Sequence, residues 1–306
     1  MLEAMITTVL PKSTVGPFGA LPLLMGGRKW VAATVAASVV FDREIGSPRA
    51  RSQLPLRMSQ DQGVDSMRLA PGLHRIGSDV VNSYLVEEAA GITIVDAGLP
   101  GHWRELEQEL AQLGRSLDDV RGIVLTHGDT DHIGFAERLR QGKGIGVHVH
   151  ELDAARARGE VKKPNSGWGR IKVRPLLGFL WYGARHGGFR VPPVREVMTF
   201  ADGDVLDLPG SPRIIHIPGH TPGSVAVHVP AVDALFVGDA LTTGNVLTGE
   251  RGPRPAPFTL DAEAALASLA KLEDVPATWV LPGHGAPWDG GAAEAIRQVR
   301  QVAMGH

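Results

Sequence analysis

Two histidines and two aspartates fall within six consecutive positions of the segment "VLTHGDTDHIG", residues 124–134. His127, Asp129, Asp131 and His132 follow directly on an apolar run rich in β-branched residues. A turn after a strand lets such side chains converge, whereas a strand would point them alternately to its two faces. Buried carboxylates are costly without a partner, and a divalent cation would offset that cost.

A simpler interpretation is an aspartate-rich turn in which Thr126 or Asp131 only caps the following "IGFAERL" helix. Three other segments favour a metal. "HIPGHTPGS" places His220 in a Gly/Pro turn, "LFVGDALT" ends a strand at Asp239, and "VLPGHGAP" ends another at His284. Each presents a ligand-forming side chain at a strand end beside glycine. Together the four segments predict a metal site.

The composition narrows the chemistry. The chain has 306 residues, 43% of them hydrophobic, a formal net charge of −2 and no cysteine. Disulfides, thiolate metal sites and cysteine nucleophiles are excluded, which leaves His, Asp and Glu as metal ligands. The lack of disulfides fits the cytoplasm. The near-neutral charge argues against broad electrostatic capture of nucleic acid or of an anionic membrane. We expect a small-molecule substrate and no nucleic-acid partner.

Residues 1–66 carry scattered Gly, Pro and Ser without a sustained period. The apolar run "WVAATVAASVVF" is shorter than the roughly 20 residues that a membrane-spanning helix needs. It also starts too far from Met1 for a signal peptide. We therefore expect a poorly ordered N-terminal extension over 1–66, no stable membrane span, and one domain over 67–306.

From residue 67 onward, short β-type runs are separated by turn signals and helical patterns. "LHRIG", "VNSYLVEE", "GITIVDAG", "VRGIVLTH", "DVLDLPG", "RIIHIPGH", "SVAVHVP" and "ALFVGDA" indicate strands. "GHWRELEQELAQLG", "GFAERLRQG", "LDAEAALASLAKLEDV" and "GAAEAIRQVRQVA" indicate helices. Runs of strands with helices between them predict packed sheets flanked by helices.

The wording and order of the motifs resemble the metallo-β-lactamase superfamily. "THGDTDH" corresponds to that family's H-x-H-x-D-H loop, and "IVDAGL", "PGHTPGS", the "GD" strand end and "PGHG" to its other motifs. The resemblance covers roughly 69–290. It implies an α+β fold, the four-layer αββα sandwich, with a dinuclear metal site along one edge.

The resemblance also implies a role for each candidate ligand. Asp131 would steer the nucleophile as well as bind metal, and Asp96 in "VDAG" would hydrogen-bond beneath the site, although a plain turn residue is equally compatible with the pattern. The implied ligands are His127, Asp129 and His220 for one metal, Asp131, His132 and His284 for the other, and Asp239 as the bridge between them.

Asp129 departs from the family pattern, in which most members carry histidine at this position. A carboxylate binds zinc at about 2.0–2.2 Å, so a zinc pair is the first expectation. As a harder, anionic ligand it favours iron or manganese more than an imidazole does. It also adds negative charge, which weakens the pull of the metal site on the proton of its bound water. Alternatively, the aspartate side chain, which is shorter than that of histidine, does not reach the metal, and one of the two sites is weakly occupied.

The implied function is a metal-dependent hydrolase that uses a metal-bound hydroxide to cleave a small ester, thioester, lactone or amide. A true β-lactamase is one alternative. A second is a diiron redox protein, because flavodiiron proteins usually carry a glutamate where Asp129 stands. Those proteins normally need an attached flavodoxin domain, and we expect none after residue 306. A catalytically dead scaffold is disfavoured, because every ligand position holds a residue able to bind metal.

Residues 157–195 contain a stretch that the simple fold does not require. It holds five of the chain's 16 aromatic residues (Trp 6, Tyr 2, Phe 8), and four of its basic residues flank its apolar core. The resemblance implies a helical lid or a homodimer surface, and a helix that merely extends the core is the alternative. These aromatic residues are Trp168, Phe179, Trp181, Tyr182 and Phe189, and the basic ones are Lys172, Arg174, Arg185 and Arg190.

The pattern alone makes Tyr84 a sheet residue, although it could donate a proton near the site. The remaining histidines are interpreted as packing or surface residues, with His150 the least typical of them. They are His74, His102, His148, His150, His186, His216, His228 and His306.

Overall fold

Two facing β-sheets form the centre of the structure, a computed structural model that describes residues 67–162, 164 and 169–305. The first sheet has seven strands in chain order. They are β1 (Met67–Ala70), β2 (Leu73–Ser78), β3 (Val81–Glu88), β4 (Gly91–Val95), β5 (Val120–Val124), β6 (Gly146–His150) and β7 (Met198–Phe200). The strands from β1 to β4 pair antiparallel, and those from β4 to β7 pair parallel.

The second sheet has four strands in the order β13-β10-β9-β8, and a separate two-stranded ribbon pairs β11 with β12. β10 and β13 are parallel, whereas β9 is antiparallel to both of its neighbours. The strands are β8 (Arg213–His216), β9 (Val225–Val229), β10 (Ala234–Gly238), β11 (Thr242–Gly244), β12 (Arg251–Arg254) and β13 (Trp279–Pro282).

Helices connect the parallel strands and cover the outer faces of the sheets. The α-helices of the described ranges are α1 (Trp103–Gln112), α2 (Ala136–Lys143), α3 (Ala154–Ala157), α4 (Val173–Arg185), α5 (Ala262–Ser268) and α6 (Ala292–Met304). Short 3₁₀ turns lie at Pro100–His102, Leu117–Asp119, Glu151–Asp153, Pro230–Val232 and Leu269–Leu272. None of the helices in these ranges is long and apolar enough to cross a membrane.

Three buried apolar clusters follow from the alternation of side chains along the strands. Between the sheets, Tyr84 and Val86 of β3 meet Val227 of β9 and Phe236 of β10. Outside the first sheet, strand residues pack on Leu106 and the rest of the apolar face of α1. Outside the second sheet they pack on the 3₁₀ turn Leu269–Leu272 and on α6. The predicted αββα layering is confirmed.

The strand predicted over "DVLDLPG" is wrong. Val205 makes only an isolated bridge to Arg213 and is exposed. The chain then turns tightly, because Leu208 N donates to Leu206 O at 2.9 Å. Alternation of apolar and acidic residues therefore does not mark a strand when a Pro-Gly pair ends the run so soon.

Helix α4 occupies the middle of the predicted 157–195 insertion. Its aromatic residues divide between two environments: Phe179 is buried and Tyr182 half-buried, whereas Trp181 and Phe189 are exposed. The assignment of this insertion as a lid or a dimer surface stays a prediction. Trp168, His306 and the extension predicted over 1–66 lie outside the described residues.

Candidate metal centre

Strand ends from both sheets meet at one edge of the sandwich, and all seven predicted ligands lie there. The carboxyl ends of parallel strands share an edge. Thus β5 leads into His127, β10 ends immediately before Asp239, and β13 ends two residues before His284. Asn82 at the start of β3 ties the sheets together, because its Nδ2 donates to Pro282 O at 2.9 Å and to Gly285 O at 2.8 Å.

The ligand atoms are spaced as they would be around shared cations. Four donors on a tetrahedral zinc with bonds of about 2.0–2.2 Å lie roughly 3.3–3.6 Å apart. Nε2 of His127 and of His220 lie 3.6 and 3.5 Å from Asp129 Oδ2. His284 Nε2 lies 3.4 Å from Asp131 Oδ2. Asp129 therefore reaches the same point as the imidazoles, and the alternative of a carboxylate that is too short is not what the geometry shows.

Asp239 lies between the two groups of ligands. Its Oδ2 is 3.6 Å from His220 Nε2 and 3.2 Å from His284 Nε2, and its Oδ1 is 3.6 Å from His132 Nε2. The potential donors form three overlapping groups, each with its ligand atoms within 4.8 Å of one another: His127, Asp129 and His220; His127, His132 and Asp239; and Asp131, His132 and His284. The first and third groups are the two ligand sets that the resemblance implied, and the assignment of each set to one metal stays a prediction.

Hydrogen bonds orient all four imidazoles so that Nε2 points to the centre. Each Nδ1 faces a group that accepts: Thr126 Oγ1 and Thr259 Oγ1 already donate their own protons, to Asp96 Oδ2 and Ala256 O. Each ring therefore carries its proton on Nδ1 and leaves the Nε2 lone pair for a metal. The Nδ1 contacts are His127 with Thr126 Oγ1, His132 with Asp96 Oδ2, His220 with Thr259 Oγ1, and His284 with Val80 O.

Three inward-facing polar atoms of the described residues lack hydrogen-bond partners, and they show whether the site suits a metal. Within the described part of the chain, His127 Nε2, His132 Nε2 and Asp239 Oδ1 are buried without a hydrogen-bond partner. Buried polar atoms are normally paired, and leaving them unpaired costs about 1–3 kcal/mol each. Divalent cations would satisfy all three atoms at once, so the donor set fits a metal pair.

The charges of the site also favour cations. Burial opposes protonation of His132, but the carboxylates of Asp96 and Asp239 outweigh it and raise the pKa of His132 to about 9. Burial opposes ionisation of Asp131, yet the hydrogen bond with His284 outweighs it and lowers the pKa of Asp131 to about 2. Asp131 is thus ionised at neutral pH, and a metal ion bound there would replace the proton held by His132.

Arg156 and Asp153 belong to the site and were missed in the sequence. Arg156 Nη1 donates to Asp129 Oδ1 at 3.1 Å, on the side away from the histidines. Asp153 is fully buried and accepts from Gly128 N at 2.8 Å and Thr221 Oγ1 at 2.8 Å, which joins the two ligand loops. Their only signal in the sequence is an acidic and a basic residue three apart after strand β6.

Asp96 supports the ligand His132 from beneath. Its Oδ2 accepts from His132 Nδ1 at 2.8 Å, and its Oδ1 accepts from Thr126 N at 2.8 Å. The backbone of Asp96 has a φ of 59°, in the left-handed region that aspartate and asparagine tolerate. The predicted position of Asp96 below the metals therefore agrees with its contacts.

Asp96→Asn is expected to weaken metal binding by about 10–100-fold, as loss of a partner that orients a ligand typically does. The amide NH₂ would face His132 Nδ1, which favours the tautomer that carries its proton on Nε2 and removes the lone pair. Metal affinity is measured by competition with a chromophoric chelator, and Asp274→Asn, an exposed aspartate, is the control. Equal affinities for the three proteins would show that Asp96 does not orient His132.

Tyr84 does not face the metals. Its hydroxyl donates to Pro282 O at 2.8 Å, and its ring packs on Phe236. Burial raises the pKa of Tyr84 well above its ordinary value, so it is a poor proton donor. Its contacts support the alternative of a sheet residue.

A second group of potential ligands lies at His102, Glu105 and His186. His102 is engaged on both ring nitrogens, because Nδ1 accepts from Leu99 N at 3.2 Å and Nε2 lies 2.8 Å from Tyr182 Oη. Burial, followed by the proximity of His186, lowers the pKa of His102 to about 3. These contacts attach helix α4 to the body of the protein, and His102 has no lone pair left for a metal.

Comparison with known proteins agrees with the fold. Residues 76–284 match the model of the metallo-beta-lactamase superfamily. The chain is 28% identical over 238 residues to the probable metallo-hydrolase YflN of Bacillus subtilis, covering 72% of this chain and 86% of that protein. It is 30% identical over 254 residues to the uncharacterized protein YobT of B. subtilis, covering 81% and 99%.

Among solved structures, the metallo-beta-lactamase family protein TTHA1429 of Thermus thermophilus superposes with a TM-score of 0.57 at 25% identity, covering 78% of this chain and 81% of that one. The family match extends from strand β2 to His284 and so includes all seven predicted ligands. The chain belongs to the metallo-β-lactamase superfamily.

Proposed function

We propose that the protein is a dinuclear metal-dependent hydrolase of a small ester, thioester, lactone or amide. One observation carries the proposal: four histidine Nε2 atoms, each ring held by a hydrogen bond at Nδ1, lie with three carboxylates in overlapping groups that could each hold a metal ion. A pair of divalent cations bound there would polarise a carbonyl and lower the pKa of water from about 15.7 to about 7.

Asp131 is the residue to which we assign the steering of the attacking water. The low pKa of its carboxyl keeps it ionised at neutral pH, so a carboxylate oxygen accepts the hydrogen bond of the water and orients it. Val81, Leu99 and Phe179 line the small space beside Asp131. These apolar side chains exclude bulk water and strengthen the electrostatic interactions of the site.

Zinc is the metal that we propose, despite the carboxylate at position 129. The guanidinium of Arg156 faces Asp129 Oδ1 and offsets the charge that this carboxylate adds, so the first ligand set approaches the net charge of one built from imidazoles. Iron and manganese are the alternatives, since a carboxylate is the harder ligand.

We expect two metal ions per chain in protein purified without added metal, measured by elemental analysis together with the protein concentration. The same preparation, loaded separately with zinc, iron or manganese, is screened against thioesters, lactones, β-lactams and phosphodiesters. Hydrolysis restricted to β-lactams would instead support a true β-lactamase. No bound transition metal even after reconstitution would overturn the proposal.

A further inference from the structure

An apolar cavity of about 360 Å³ lies beside the metal centre, under helix α4. Small-molecule sites measure roughly 300–1,000 Å³, so the cavity suits one acyl or aryl group and not a polymer. Its walls come from α4, from the β11–β12 ribbon and from the loop after β13. They include Pro175, Phe179, Val246, Pro287 and Trp288.

The cavity adjoins the loop that carries the ligand His284. Gly285, next in the chain, lines the cavity and donates from its N to Asp79 O at 2.8 Å. Thr243, another wall residue, donates from its N to His284 O at 3.1 Å. A group bound in the cavity therefore lies against the backbone that positions His284.

Phe179 connects the cavity to the reacting atoms. Its ring lines the large cavity and also a second space of about 10 Å³ that is bordered by Asp131. That second space holds about one water molecule. Phe179 is thus the wall between an apolar compartment and the carboxylate assigned to steer the water.

The charged residues at the rim of the cavity are already paired. Asp79 Oδ1 accepts from Arg75 Nη2 at 2.9 Å, and Glu250 Oε2 lies 3.0 Å from Arg254 Nη1. Lys172 Nζ lies 3.5 Å from Glu250 Oε1. Arg251 also lines the cavity, with its side chain 84% exposed and its Nη1 4.0 Å from Asp79 Oδ2. Each carboxylate at the rim thus has basic partners, and the apolar walls favour an uncharged apolar group.

We infer that this cavity binds an apolar acyl or aryl group of the substrate, whose scissile carbonyl lies at the metal ligands; the inference rests on the proposed hydrolase function. The basic residues of the 157–195 segment do not line the cavity, so they do not select the substrate there. A substrate that carries only an acetyl group would leave the cavity unfilled and bind weakly.

Gly178 permits a direct test. It lies in α4, lines the cavity, and an added Cβ would meet open space. Gly178→Leu therefore fills part of the cavity without backbone strain, and leucine forms helices better than glycine. Gly142→Leu is the matched control, because Gly142 is also helical, exposed and open around its Cβ, but lies in α2.

The probes are straight-chain carboxylates from acetate to decanoate, titrated calorimetrically into the zinc-loaded proteins. For the wild type and Gly142→Leu, we expect affinity to rise about fourfold per buried methylene until the cavity is full. For Gly178→Leu, we expect the ratio of decanoate affinity to acetate affinity to fall at least tenfold relative to the wild type, with zinc content and Tm retained. If Gly178→Leu bound all the carboxylates with wild-type affinities, the alkyl chain of the probe would lie elsewhere, such as on exposed Trp181. That result would overturn the inference.

Hydrolysis of acetyl and octanoyl nitrophenyl esters separates this inference from the proposed function. Gly178→Leu should raise the ratio of the octanoyl KM to the acetyl KM at least tenfold, whereas Gly142→Leu should leave KM and kcat for both esters unchanged. If neither ester nor any other substrate of the screen is cleaved, the proposed function fails, but the carboxylate titration still decides whether the cavity binds apolar chains. A wild-type affinity that does not depend on chain length would overturn the cavity assignment alone.

Discussion

Asp239→Asn is expected to abolish the binuclear centre. The carboxylate of Asp239 is placed within 3.6 Å of Nε2 of His132, His220 and His284, so both metals would share it. Burial opposes its ionisation, yet His284 and His132 outweigh that effect and hold the pKa of Asp239 well below its ordinary value. Asparagine keeps the size but offers one neutral oxygen and an NH₂ group that repels a cation.

We expect the metal content of Asp239→Asn to fall from two ions per chain to one or none. Lewis-acid stabilisation is worth several kcal/mol, and each 1.36 kcal/mol is tenfold in rate, so hydrolysis should fall on the order of 10³-fold. Elemental analysis and the best substrate of the screen provide the two measurements. Asp207→Asn, a change at an exposed aspartate, should match the wild type. Two retained metals and a normal rate would remove Asp239 from the centre.

The structure brings together the candidate ligands that the sequence singles out, because each of them stands at a chain position with a local signature. Asp239 and His284 follow apolar runs and lie beside glycine, and such strand ends must come to an edge of a sheet. The packing of helices on the sheets can also be predicted from the sequence, because the amphipathic pattern of "GHWRELEQELAQLG" leaves one face of that helix to be buried. Order and spacing along the chain therefore carry most of the information about the fold and the metal ligands.

Apart from Asp96, which the resemblance implies, the partners that orient those ligands could not be predicted, because they are set by contacts between residues far apart in the chain. His284 Nδ1 bonds the backbone carbonyl of Val80, and a carbonyl has no sequence signature at all. His220 meets Thr259, which is 39 residues away and one of many threonines. Arg156 is a similar case: nothing local distinguishes an arginine that pairs with Asp129 from one that faces water.

Arg156 changes what is expected of Asp129→His. On sequence alone, this substitution keeps the fold and changes only the preference for metals. The structure adds a buried ion pair, because the side chains of Arg156 and Asp129 are 8% and 7% exposed. Histidine at 129 would leave the guanidinium without its closest anion, and only Asp153 would stay nearby, with Oδ1 at 4.0 Å from Arg156 Nε.

We therefore expect Asp129→His to lower the free energy of unfolding by about 2–3 kcal/mol, less than the roughly 3–5 kcal/mol of a fully uncompensated buried charge. Arg156→Met together with Asp129→His should recover most of this loss, since methionine fills the space without a charge. The measurement is denaturant unfolding of the metal-free proteins. Arg297→Met, which breaks an exposed pair with Glu294, controls for loss of an arginine and should cost at most about 1 kcal/mol.

The double variant then isolates the role of the ligand from that of the ion pair. With the guanidinium absent, an imidazole at 129 is a softer, neutral donor, so zinc retention should rise relative to iron and manganese when the three are compared by elemental analysis. A coupling energy near zero would mean that Arg156 does not act on Asp129, since residues in one ion pair normally couple by about 0.5–3 kcal/mol. Identical metal preferences in wild type and double variant would instead mean that Asp129 binds metal without selecting it. Unfolding of the metal-free proteins measures the ion pair, and elemental analysis measures the metal preference. The unfolding result therefore does not depend on which metal the protein holds.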